Sequence, residues 1–441
     1  MRRPLTWLLF VLGAGTASCT EEATAPGRCP NFCPGGRTDI KDTIFTDVIQ
    51  RDSSYRGYLA PYAAEAMAAA DLPNMDSRAL VVLPHNMITT AHRSSTDTTS
   101  VPIVVDSSRF RLSILRRDTS ATNLKLRVYR LPITTDSNST FASLDPDFTT
   151  APIDTVNVSQ LLARPPIVDT AKADSANRRI FGDTTRTDSA GHILTVSDSG
   201  RTLTLYFHFD TLQAPFVALD SGQLAFGFRV AADSFASVAL GTSESAHSPL
   251  MQWFFHHTLH DTTGVKPDST VYDNRLRTPQ FDSFVFNPPT APLDSNLAVG
   301  GAPSARSLVR VKLPKFLHDS IDVVRATAIL VPVGPAVGAP SDSFRILLRP
   351  ILTDLGGKSP LSGAFSASRT IHIGIADTVT IELTDLVRAW AQDTTAPTAF
   401  FLAHVPEAAS FTEIRFYSSR APSFRPALHI TYVKRFPFGT P

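Results

Sequence analysis

The chain has 441 residues, 41 Lys+Arg against 40 Asp+Glu, a formal net charge of +1, 43% hydrophobic residues and 33 Pro. Balanced charge offers no hold to a polyelectrolyte, so nucleic acid is excluded as an expected partner. At roughly 100 to 200 residues per domain, the length predicts two or three domains with enough chain for real cores. Charged residues make up only 18% while Ser, Thr and Asp are abundant, a composition that suits turns between strands better than long helices.

Residues 1–18 read as an export signal. Arg2 and Arg3 form a charged n-region, Leu5 to Leu12 an apolar run too short to span a bilayer as a helix, and Gly13 to Ser18 a small-residue stretch ending at Cys19. Thr16-Ala17-Ser18-Cys19 resembles a bacterial lipobox, which implies lipidation of Cys19 and a partner membrane reached through that lipid. Ordinary signal cleavage near Ser18 is the alternative. The chain is then expected to be exported and held at the outer membrane or cell surface. Residues 19–37 are predicted to be a flexible tether in which Cys29 and Cys33 close a small disulfide loop, as suits an oxidising compartment.

Beyond the tether the sequence repeats itself. Ser77-Arg-Ala-Leu-Val-Val-Leu-Pro84 has a counterpart in Arg306-Ser-Leu-Val-Arg-Val-Lys-Leu-Pro314, both alternating apolar runs that stop at Pro. In the same order, the runs at 108–115, 124–130, 203–207, 224–229 and 238–255 match those at 324–331, 344–350, 379–383, 399–403 and 414–432. Many short alternating runs with regularly spaced turn signals predict antiparallel sandwiches. The expected fold class is therefore all-β, with two tandem antiparallel, jelly-roll-like β-sandwich domains and short capping helices. The boundaries are read as 38–258 and 279–435, with a linker at 259–278 and a tail at 436–441. A polar insertion at about 159–201 is expected to be a mobile loop. Capping helices are predicted at Tyr62 to Asp71, which is Ala-rich and precedes Pro73, and at Thr384 to Ala391, where Leu386, Val387 and Trp390 share a face.

The second copy resembles the DNRLRE-type domain, a jelly-roll-like module akin to some carbohydrate-binding modules. The resemblance rests on Val379-Thr-Ile-Glu-Leu-Thr-Asp-Leu-Val-Arg-Ala-Trp390, the Tyr-Ser-Ser-Arg-Ala-Pro turn and Pro426-Ala-Leu-His-Ile-Thr-Tyr432. Asp273-Asn-Arg-Leu-Arg277 is present too, but it precedes the matched segment. The resemblance implies adhesion, envelope structure or glycan binding, and no catalytic residue.

Sugar-binding sandwiches use exposed rings as stacking platforms. Trp253 and Trp390 fall in phase with core positions, which leaves Tyr55, Tyr58 and Tyr62 as the candidate platform. His256, His257 and His260 cluster without the helix or Glu of a zinc motif. The Asp-rich turns at Asp183, Asp188 and Asp198 lack the frame of a calcium loop and are read as turn caps, with calcium as the alternative; no other cofactor is expected. Gly241-Thr-Ser-Glu-Ser245 lacks the second Gly of a nucleophile elbow. The expectation is a non-enzymatic cell-surface lipoprotein for adhesion or envelope structure, meeting a polysaccharide or a surface protein. A polysaccharide-binding lipoprotein is the alternative, and a glycan-active hydrolase a weaker one.

Overall fold

The computed structural model describes residues 40–57, 59–73, 75–84, 90–92, 100–167, 184–197, 202–210, 213–214, 223–259, 269–287, 292–337 and 343–434. The signal, Cys19, the Cys29 and Cys33 loop, the tether and the tail at 436–441 lie outside the described residues. Within them the chain is all-β and antiparallel, folded into two sandwiches with separate cores. No helix among the described residues is long and apolar enough to cross a membrane.

In the N-terminal sandwich one layer is centred on Val104–Arg117, flanked by Leu203–Phe209 and Leu250–Leu259. The period of two sends Leu203, Leu205, Phe207 and Phe209 inward and Thr204, Tyr206 and His208 outward. The other layer runs Ala236–Gly241, Ala66–Leu72, Met75–Leu83, Leu224–Ala231, Lys125–Leu131 and Asp154–Asn157. Phe110, Phe207, Phe226, Phe228 and Trp253 fill the space between. Val104–Arg117 pairs with Leu250–Leu259 along its first part and with Ala236–Gly241 at its end, with a break in register in each ladder, so it passes from one layer to the other.

The C-terminal sandwich repeats this plan. Ile321–Leu330 lies between Ala427–Lys434 and Val379–Glu382. The facing layer contains Glu413–Phe416, Leu297–Gly300, Ala305–Val311, Ala399–His404, Ser343–Pro350 and Ala367–His372. Each strand pair matched in the sequence holds the same place in the pairing order. Here, however, the layer-crossing strand stops before Pro332, which has no N–H to donate, and its continuation is reduced to isolated bridges from Pro332 to Phe416 and from Val337 to Glu413. The helix Thr384–Gln392 forms as expected and buries Leu386, Val387 and Trp390, with Trp390 stacked on Phe400 at 6.5 Å between ring centroids.

The two sandwiches exchange strands, and this revises the expected boundaries. Ile40–Phe45 pairs with Ala427–Lys434, and Ile49–Arg56 with Ala305–Val311, so residues assigned to the first domain complete the second. Reciprocally, Ser269–Arg277 pairs with Leu250–Leu259, and Phe281–Asn287 with Met75–Leu83. The expected linker at 259–278 therefore contains a sheet strand, and the expected start of the second domain belongs to the first sandwich. Local patterning marks a strand but not its partner.

Two more expectations are corrected. Tyr62 to Asp71 is not a helix: Pro61–Ala63 makes one 3-10 turn and Ala66–Leu72 is a strand, with Ala66, Met67, Ala68, Ala69 and Ala70 all buried. Ladders to Ala236–Gly241 and Met75–Leu83 override the helix propensity of Ala, and its small side chain suits a strand enclosed on both faces. The polar insertion includes the helix Val158–Ala163 and a hairpin of Thr184–Thr187 with Ile193–Val196; residues 168–183 and 198–201 lie outside the described residues.

Candidate functional site

Of the three residues expected as a stacking platform, the two described, Tyr55 and Tyr62, pack against different sandwiches. Tyr55 is half-buried, edge-on to Phe401 in the C-terminal sandwich and packed against Gly356 and Gly357. Tyr62 is exposed but leans on Phe281 beside the N-terminal sandwich, and Tyr58 lies outside the described residues. Trp253 and Trp390 are core, as expected, and the Trp253 Nε1–H donates to the Ala214 carbonyl. His256 and His257 fall on one strand and face opposite ways, His257 inward and buried, while His260 lies outside the described residues. Among the described residues no group of three His, Cys, Asp or Glu could hold a metal ion.

Asp188 acts as the expected turn cap. Its carboxylate accepts the backbone N–H groups of Ala190 and His192, both at 3.0 Å. The buried His192 ring lies between two carboxylates, with Nδ1 2.7 Å from Asp188 and Nε2 2.9 Å from Asp154. Burial opposes a charge on this ring, but the two carboxylates outweigh it and hold the pKa above its ordinary value. The His192 ring thus fastens the 184–196 hairpin to the sheet edge at Asp154–Asn157. Asp183 and Asp198 lie outside the described residues.

The polar and aromatic side chains that do converge on a surface lie on the outer face of the N-terminal sandwich, across Leu203–Phe209, Val104–Arg117, Leu250–Leu259 and Ser269–Arg277. Register places Arg109 opposite both His208 and Gln252, Gln252 opposite Leu276, Phe254 opposite Asn274 and His256 opposite Tyr272. The Arg109 guanidinium donates to Gln252 Oε1 at 2.8 Å, and the Gln252 amide donates to Asn274 Oδ1 at 3.2 Å, a polar ladder over three strands. Arg109 also lies over the rings of Tyr206 and Phe254, at 5.2 and 5.4 Å from their centroids. At the far end Asp106 holds His256 Nδ1 at 2.7 Å, the His256 ring meets Tyr272 at 5.7 Å, and Tyr272 is 75% exposed. Burial, together with the charge of Arg109, pushes the His208 pKa below its ordinary value, so this imidazole is neutral at pH 7.

The Asp273-Asn-Arg-Leu-Arg277 string therefore belongs to this face, where it supplies Asn274 and Leu276. Its neighbours were legible only in part. Alternation marks Tyr206, Gln252 and Phe254 as outward, but nothing local shows that three strands align them with Arg109. No protein-family model matches the chain, and no curated protein is similar to it.

Proposed function

We propose that the protein is a non-enzymatic, exported surface lipoprotein, and that the outer face of its N-terminal sandwich binds a polysaccharide. The supporting observation is the Arg109–Gln252–Asn274 ladder set among the rings of Tyr206, Phe254 and Tyr272. A sugar ring has apolar C–H faces and a rim of hydroxyls that both donate and accept. Flat rings meet the faces, and guanidinium and amide groups on neighbouring strands meet the rim. The ladder is already paired internally, so it is held in place before a ligand arrives and little ordering remains to oppose binding. Cys19 would carry the lipid, leaving this face displayed at the end of the tether; envelope structure without a ligand is the competing use of the same scaffold.

The test is a panel of immobilised neutral and acidic polysaccharides probed with the wild type and with Tyr206→Ala, Phe254→Ala and Arg109→Ala. Stacking of this kind predicts that a bound polysaccharide loses roughly tenfold in affinity with each change, at a cost of about 1–2 kcal/mol. Binding that survives all three changes removes the face from the account. Labelled palmitate entering the wild type but not Cys19→Ser would support the anchor, and equal labelling would remove it.

A further inference from the structure

Each repeat opens with a two-stranded arm, 40–56 in the first and 269–287 in the second, and each arm completes the other repeat's sandwich. The two joints are built alike. In the C-terminal joint Asp52 is 1% exposed and accepts the backbone N–H of Ser419; in the N-terminal joint Asp282 is 3% exposed and accepts the backbone N–H and hydroxyl of Ser243. Ser243 and Ser419 hold equivalent turns, following Ala236–Gly241 and Glu413–Phe416. The C-terminal joint is further fastened by Arg56 to Glu413 at 2.7 Å and by Ser54 Oγ to Ser307 Oγ at 3.0 Å.

We infer that the slot between Ala427–Lys434 and Ala305–Val311 is an assembly site, and that its partner is the 40–56 arm of a second copy of this chain. The slot is already filled by an arm from outside its own repeat, so it recognises the arm's pattern and not its covalent origin. Every contact at the joint is the same whichever molecule donates the arm, so the choice rests on effective concentration alone. The outer strand of the arm is lightly held and the inner one firmly. No residue of Ile40–Phe45 is fully buried, and Ile40 and Ile44 are 62% and 57% exposed, whereas Val48, Ile49 and Asp52 are buried in the slot. The arm leaves through Gly57, whose φ of 77° is open to glycine and strained for other residues. Copies held side by side raise the concentration that competes with the internal arm, typically millimolar for a short connection. Two copies can then exchange arms to form a closed dimer, and more can form an open chain.

The test uses the full chain with a charge swap across the joint. Arg56→Glu and Glu413→Arg each put like charges at the joint, and each variant alone should stay monomeric with a lowered melting temperature. Refolded together at high concentration, they should form a mixed dimer in which each arm again meets an opposite charge, with the melting temperature restored, as read by analytical ultracentrifugation and thermal unfolding. Monomers that keep the lowered melting temperature would overturn the inference. A second measurement does not depend on tolerance of those charges. Ser54→Cys and Ser307→Cys, placed in separate chains and refolded together, should give an interchain 54–307 disulfide by peptide mapping. Its yield should rise with concentration and fall about tenfold when the arm also carries Asp52→Ala. A yield no higher than for Ser54→Cys mixed with Ser137→Cys, an exposed site away from the slot, would equally overturn it.

Discussion

Asp282 accepts hydrogen bonds from the backbone N–H and the hydroxyl of Ser243, and so ties a strand of the second repeat to a turn of the first. Asp52 does the same service for Ser419 in the opposite direction. Burial pushes the Asp282 pKa up in spite of the Ser243 bonds, so ionised Asp282 opposes folding and its contribution is most favourable at low pH, declining as pH rises through the raised value. Asp282→Asn keeps an acceptor and removes the charge, and should cost less than about 1 kcal/mol at pH 7. Asp52→Ala leaves the Ser419 N–H without its acceptor and should cost about 1–3 kcal/mol. Urea unfolding of both variants checks the difference.

His192, held between Asp154 and Asp188, predicts a pH-dependent contribution of the opposite kind to ordinary acid denaturation. Because the folded pKa is raised, the contribution is fully present below the unfolded value near 6.5 and is lost as pH rises through the folded value. His192→Gln should destabilise by about 2 kcal/mol at pH 5.5 and by under about 1 kcal/mol at pH 9. Equal losses at the two pH values would show the ring to be neutral in the fold.

His404 predicts the reverse. Burial, reinforced by the charge of Arg116 in the neighbouring sandwich, pushes its pKa down to about 3. The unfolded chain therefore takes up a proton that the folded chain refuses. Stability is intact above about pH 6.5 and falls below it by roughly 1.4 kcal/mol per pH unit. His404→Gln should flatten that decline in urea titrations between pH 6.5 and 4.

Gly227 and Phe401 hold equivalent places on Leu224–Ala231 and Ala399–His404, opposite Leu80 and Leu308 respectively. In the first sandwich the helix Phe141–Phe148 lays the Phe148 ring where a side chain would otherwise lie, and a Cβ on Gly227 would sit 2.3 Å from that ring. Gly227→Ala should therefore cost about 1–3 kcal/mol by overpacking. Adding Phe148→Leu should recover part of the loss in thermal unfolding.

Alternation along the chain was enough to predict strands, inward Trp253, the amphipathic helix at Thr384–Gln392 and the order of the matched elements. These depend on a period of two or of 3.6 within one segment. The Ala-rich run at 66–70 misled because its propensity is local while its burial between two neighbouring strands is not. The polar and aromatic face was half legible: the string at 273–277 and the alternation that turns Tyr206 and Phe254 outward were visible, but their meeting with Arg109 was not. Which sandwich each arm completes was decided by tertiary structure alone. A strand presents the same alternating side chains to either slot, and its backbone hydrogen bonds are indifferent to the repeat that supplies them. The choice rests on where the connections can reach and on what Asp52 and Asp282 find at the far side.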